Sequence, residues 1–341
     1  MGRERDRWSA SRVQSGTGPE SCRAMLPDAS SASFIQYTMN SRMSQLRLHF
    51  CVALTACFPL LAQSQGIVRT HPAGIFEAQS LLGSDRDRDA DTARSPHAVQ
   101  PERPTVATHA GTVAPGWIEL EEGVEWDKNP DGSRSFVAPT NLKIGLSPRS
   151  QINLLFNLIH APASITSDLA MGDIGVGIKY RLVDGNPILG DFAVLPVLKL
   201  PTGTNGAGTG TTDFSLLLIS SRQLGPVAVD LNLGQTRRSG DGTKAPRVAG
   251  IWTASFGFPV SGPVGGVVEF FGFPRTSGLL GTDATAALLA GPTFLIKRWF
   301  SLDAGMIVPL AGPQARAYYA GFVWNFGCVA SKRVCRATRG Y

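Results

Sequence analysis

Between Trp117 and Phe326 the chain divides into twelve short segments in which apolar residues alternate with small or polar ones, and the connections between them run short, long, short, long. That rhythm limits the fold more than any other feature. A period of two puts alternate side chains on opposite faces of an extended strand. A transmembrane β-barrel needs an even number of such strands, roughly 9–11 residues each, with tight turns at one rim and longer loops at the other. The last segment shows the pattern well. Tyr318, Ala320, Phe322, Trp324 and Phe326 share one face, and Tyr319, Gly321 and Asn325 share the other.

The strands are expected at 116–127, 134–146, 151–160, 172–183, 191–200, 212–222, 226–235, 248–258, 264–273, 283–295, 300–309 and 316–326. In the fourth, Ile174, Val176, Ile178, Tyr180 and Leu182 oppose Asp173, Gly175, Gly177, Lys179 and Arg181. Short links follow the even strands at Ser147-Pro148-Arg149-Ser150, Gln223-Leu224-Gly225-Pro226, Ser261-Gly262-Pro263 and Lys297-Arg298. Glycine and threonine fill the longer ones, as at 201–211, so both barrel ends fall at the short-turn rim. The link at 184–190 breaks the rhythm by being no tighter than the first long-side link.

Charge supports a membrane wall. Charged residues make up 17% of the chain, against roughly 25% in an ordinary soluble domain. The net +6 belongs to the ends: residues 1–64 hold seven Arg against four acids, and 327–341 hold four bases and no acid, leaving 65–326 at −1. The central part therefore has no basic balance for nucleic-acid binding. A β-sandwich would have to bury too many apolar faces, and a lipocalin-like barrel would turn its apolar face inward.

Residues 1–38 lack periodicity and are expected to be an over-extended gene model. Residues 39–64 carry Arg42 and Arg47, an apolar run from Leu48 to Leu61, and Ala62-Gln63-Ser64, the layout of a secretory signal peptide that would leave Gln65 first. A lipoprotein box at Leu54-Thr55-Ala56-Cys57 is disfavoured by the apolar Phe58-Pro59-Leu60-Leu61 that follows. Residues 65–115 form a polar lead-in that should be flexible, with alternating charges at Ser84–Asp91 and Pro96, Pro101, Pro104 and Pro115 breaking regular structure. The barrel should occupy 116–326, with a basic tail at 327–341 in which Cys328 and Cys335 could pair in an oxidising compartment.

The segments Ala114-Pro115-Gly116-Trp117-Ile118-Glu119-Leu120-Glu121-Glu122-Gly123, Gly172-Asp173-Ile174-Gly175-Val176-Gly177-Ile178-Lys179-Tyr180, Leu195-Pro196-Val197-Leu198-Lys199-Leu200-Pro201-Thr202-Gly203 and Ser221–Gly234 resemble the outer-membrane transporter family linked to the phenol-degradation meta pathway. The likeness covers about 101–326. It implies an outer-membrane channel or transporter for small hydrophobic or aromatic compounds. The partners implied by this reading are the lipid bilayer, the barrel-assembly machinery and such a ligand. The extra residues after Phe326 depart from the family pattern, in which the chain ends on the final aromatic strand.

No chemistry-bearing constellation emerges, so neither an enzyme nor a cofactor is expected. His160 stands two positions from Leu158 and Pro162, without a serine to activate, and is expected at the outer rim. Asp127, Asn129, Asp131 and Gly132 resemble the start of a calcium loop, but the closing position is Ala138, so a hairpin turn is expected. The glycine-rich 203–210 stretch lacks G-K-[ST] and reads as a mobile loop. What remains is the lumen, where alternation places Glu119, Glu121, Glu125, Lys143, Asp173, Lys179, Arg181, Asp191, Lys199, Asp213, Asp230, Glu269 and Asp303. These could line a water-filled path or pair across the interior; the alternative reading is a structural barrel without transport, its lumen closed by the 65–115 segment or by such pairs. Glu122 falls on the lipid face, which implies a bulge or a place near the rim.

Overall fold

The computed structural model describes residues 96–160, 169–205, 207–243, 245–331 and 334–335. The expected gene-model extension, the expected signal peptide and residues 65–95 of the lead-in lie outside the described residues. The strands are β1 (Trp117–Lys128), β2 (Arg134–Ser147), β3 (Ser150–His160), β4 (Ala170–Met171), β5 (Ile174–Asn186), β6 (Gly190–Leu200), β7 (Asp213–Leu224), β8 (Val227–Arg238), β9 (Val248–Ser261), β10 (Val264–Phe273), β11 (Thr285–Lys297), β12 (Phe300–Ala311) and β13 (Arg316–Cys328). All pair antiparallel with their neighbours. β1 joins both β2 and β13, and β2 joins β3, so the sheet closes on itself as a twelve-stave barrel with the two-residue β4 as an added edge on β3. Closure satisfies the backbone groups that an open edge would strand in hydrocarbon.

Alternation decides which face is which. Ile178 is 50% exposed and Leu233 60%, whereas Lys179, next to Ile178, is 0% exposed. Apolar side chains point out and charged ones in, the arrangement of a membrane wall and the reverse of a lipocalin. Aromatic rings gather outside both rims of one sector. Trp324 stacks on Phe326 at 4.4 Å and meets Phe300 edge-on at 6.4 Å near the short-turn rim, while Trp126 and Phe136 lie 5.9 Å apart near the other. Rings with an apolar body and polar tip suit the bilayer interface.

Several expectations need correction. The fourth stave starts at Ile174, leaving Asp173 in the loop before it, and runs on to Asn186. The link to β6 therefore shrinks to residues 187–189, which restores the short-turn rhythm. β13 continues to Cys328, where Trp117 pairs with Cys328 and Ile118 with Gly327, so closure uses two residues assigned to the tail. Cys328 and Cys335 form a disulfide. Glu122 sits neither at a rim nor at a bulge. It pairs in register with Thr140 and Phe322, and its carboxylate accepts a hydrogen bond from the Thr140 hydroxyl, a local partner for a polar group on the outer face. The only register shift in the β1–β13 pair lies between Ile118 and Glu119.

The hairpin reading of 127–132 holds. Asn129 N–H donates to Ser133 O and Gly132 N–H to Asn129 O, with Gly132 in the left-handed region at φ 85°. The loop after β6, whose 203–210 stretch is expected to be mobile, is tied down. Asp173 accepts from the backbone N–H groups of Gly203 and Thr209 at 2.9 Å each, and Ala207 and Thr209 are buried. His160 ends β3 opposite Phe136 at the long-loop rim, and its side chain lies outside the described part.

Candidate functional site

The lumen is occupied by the chain's own residues 96–115. This corrects the expectation of a flexible lead-in for that part. The segment enters at the short-turn rim, where Val99 N–H donates to Arg298 O at 2.7 Å. There His97 donates from Nε2 to Asn325 O at 2.8 Å and lies against Trp117 and Trp299. It rises to mid-barrel near Val106 and returns to the same rim, where Val113 N–H donates to Gln151 Oε1 at 2.8 Å and Gly116 N–H to Gly145 O at 2.8 Å, leading into β1.

An extended segment inside a closed barrel meets a specific difficulty. The backbone groups of the wall are spent on the sheet, so the segment's N–H groups must find side chains, since a buried unpaired N–H costs about 1–3 kcal/mol. The inward residues supply them. Glu119 accepts from Gln100 N–H at 2.8 Å and Glu121 from Glu102 N–H at 2.6 Å. Glu269 accepts from Val106 and Ala107 N–H with one carboxylate oxygen each, both at 2.7 Å. Asn232 accepts from Thr108 N–H at 2.7 Å and donates back to Thr108 O at 2.9 Å. Ser221 Oγ accepts from Ala110 N–H at 2.8 Å and donates to Asp230 at 2.6 Å.

Charge pairs complete the docking. Lys143 reaches Glu119 at 2.7 Å and Glu121 at 2.8 Å and also donates to Gln100 O. Lys179 pairs with Glu102 and donates to His109 O at 2.9 Å. Arg103 bonds both oxygens of Asp303 at 3.3 Å. The guanidinium fits because the wall is bare beside it: a Cβ at either Gly123 or Gly321 would collide with it. Each charge in these pairs is thus buried with a partner of opposite sign, the condition under which burial is tolerated.

Seven of the sequence-derived lumen residues therefore hold the plug directly or through one neighbour: Glu119, Glu121, Lys143, Lys179, Asp230, Glu269 and Asp303. Five others, Asp173, Arg181, Asp191, Lys199 and Asp213, serve the rims. Lys199, between Asp173 and Asp213, pins the 201–212 loop, with Arg238 Nε 3.4 Å from Asp213. Arg181 pairs with Asp184 at 2.8 Å, and Asp191 accepts from Gly185 N–H. Glu125 faces a cavity on the long-loop side of the plug. A second, smaller cavity lies on the short-turn side, and Glu102 to Thr105 line both, forming the partition. Sequence reasoning missed Gln151, Ser221 and Asn232 because neutral polar residues look like ordinary lumen lining. It offers closure by the 65–115 segment only as an alternative and does not delimit the plug, although the chain changes character at residue 96: from there to Pro115 only Glu102 and Arg103 are charged, among small and apolar residues. Among the described residues no group of three or more His, Cys, Asp or Glu is placed to hold a metal ion.

No protein-family model matches the chain, and no curated protein sequence matches it. Solved structures do. The COG4313 outer membrane channel from Pseudomonas putida F1 superimposes with a TM-score of 0.53 at 15% identity, over 67% of this chain and 100% of that one. The KdgM porin and the NanC porin each give a TM-score of 0.43 at 9% identity, over 61% of this chain and 99% and 98% of theirs. The first of these likenesses supports the fold, an outer-membrane β-barrel. Nothing in them concerns the phenol meta pathway.

Proposed function

We propose that this chain is an outer-membrane channel for small hydrophobic or aromatic molecules, closed in its resting state by residues 96–115 and opened by release of that segment. The observation that carries the reading is how the plug is held. It docks through hydrogen bonds from its backbone N–H groups to inward side chains and through ion pairs. Such contacts exchange readily for contacts with water. The apolar character of the cargo rests on the family resemblance and on Leu195, Phe271, Leu289 and Ile307 in the larger cavity. The chain would reach the membrane through the signal peptide at 39–64 and the assembly machinery.

A second reading, a structural barrel without transport, draws on the same plug. Planar-bilayer recordings separate the two. The full chain is expected to give small or rare current steps. A variant lacking 96–113, shown by a heat-modifiable band to be folded, is expected to give large and lasting ones. The double variant Lys179→Met/Glu269→Leu, which keeps the plug but removes two of its holds, should fall between. Silence from all three would leave the structural reading standing.

A further inference from the structure

The larger cavity has two chemically distinct parts joined along one wall. On β1, Glu125 is half-buried and lines the cavity, and its carboxyl is hydrogen-bonded to that of Asp127, which also accepts from Ser135 Oγ at 3.0 Å. Glu102, Glu119, Glu121 and Asp303 are answered by bases and Glu269 by plug N–H groups, whereas Glu125 forms no ion pair among the described residues. Its cross-strand partner is Tyr319 on β13, 5% exposed, which lines the same cavity and whose hydroxyl lacks a hydrogen-bond partner. From Tyr319 an apolar cluster continues around the wall through Ile307 on β12 and Leu289 on β11 to Phe271 on β10.

We propose that this wall is a binding subsite for a small organic cation with an apolar or aromatic body. The ammonium group would sit against Glu125 and Asp127 beside the face of Tyr319, where a carboxylate pair and an aromatic ring both favour positive charge. The body lies over Ile307, Leu289 and Phe271. Neighbouring strands are about 4.8 Å apart, so the two steps from β1 to Ile307 on β12 and the three to Leu289 on β11 span about 10 and about 14 Å, the scale of an arylalkylamine. An anion would be repelled by the acidic pair, and a neutral molecule would gain nothing from its charge. This deepens the reading of the lumen as a permeation path and rests on it, while defining the cargo more narrowly.

The test is equilibrium binding to the full chain in a non-ionic detergent, by calorimetry, with three probes of one shape: 4-phenylbutylammonium, 4-phenylbutanol and 4-phenylbutyrate. The ammonium is expected to bind saturably, the alcohol at least about tenfold more weakly, and the carboxylate not at all. Glu125→Gln should reduce ammonium affinity by about tenfold and leave the alcohol unchanged, with Asp127→Asn as an independent second variant. Equal binding of ammonium and alcohol, unchanged ammonium affinity in both variants, or no saturable binding would overturn the proposal. Because the cavity lies outside the plug, binding does not require opening. Current steps in the plug-deleted variant without ammonium binding would remove the ligand class and keep the channel; binding without steps would do the reverse.

Discussion

Ile178 and Lys179 adjoin in sequence and face opposite surroundings, hydrocarbon and a sealed polar interior. Ile178→Arg is expected to cost about 2–4 kcal/mol if it falls at mid-depth and to reduce the folded, heat-modifiable band sharply. Lys179→Met should leave that band intact, because what it removes is the pairing with Glu102 and the bond to His109 O. Its effect should appear as faster protease cleavage within 96–115. Equal loss of the folded band in both variants would refute the assigned facing. A subtler case is Gly321, whose lack of a side chain makes room for Arg103. Gly321→Val should displace the guanidinium from Asp303 and raise cleavage of the plug, while Gly321→Ala acts in the same direction more weakly. Period-two reading placed Glu269 inward, and that much was legible. Its partners were not, because they are backbone N–H groups of Val106 and Ala107, and alternation describes side chains only.

At the level of elements, strand content and order follow from turn chemistry and dyad repeat, and the errors fall at strand ends. Asn186 and Cys328 extend their strands past the point where apolar alternation stops, because the ladder continues wherever a neighbour offers backbone groups, whatever the side chains are. The tail is the instructive case. Val329 N–H donates to Gly116 O, and Gly116 lies so close to Ala330 and Val334 that a Cβ there would clash. Truncation after Phe326 therefore removes the last rungs of closure and should lower the yield of folded barrel, whereas truncation after Cys335 should not. Ending the chain at Ala315 deletes β13, leaves β1 and β12 unpaired inside the bilayer at several kcal/mol per orphaned group, and should abolish the folded band altogether. A folded band from the 1–315 chain would mean that β13 does not close the barrel.

For the whole molecule, plug and wall should respond to denaturant separately. The wall is a continuous ladder, while the plug is held by side chains from many staves and contributes no strand of its own. In increasing urea, protection of 96–115 against protease is expected to disappear while the barrel band still runs as folded, a sub-global opening below the global transition. Loss of both in a single step would show that the plug is part of the cooperative unit. The sequence hides this division because the plug has no periodicity to reveal it. Prolines and small residues read equally well as a linker or as a strand of chain chosen to fit a crowded interior.

The plug's bonds also impose an order in time. Val106 precedes its partner Glu269 by 163 positions, and Ala98 precedes Asn325 by 227. The ribosome finishes residues 96–115 before any of the wall exists, yet their last holds are synthesised at the far end of the chain. Of plug and wall, the part made first is thus the last that can settle, and it must wait in the open while β1 to β13 are laid down. Because it enters and leaves by one rim, it can fold in afterwards as a loop, with no free end to thread through a finished ring.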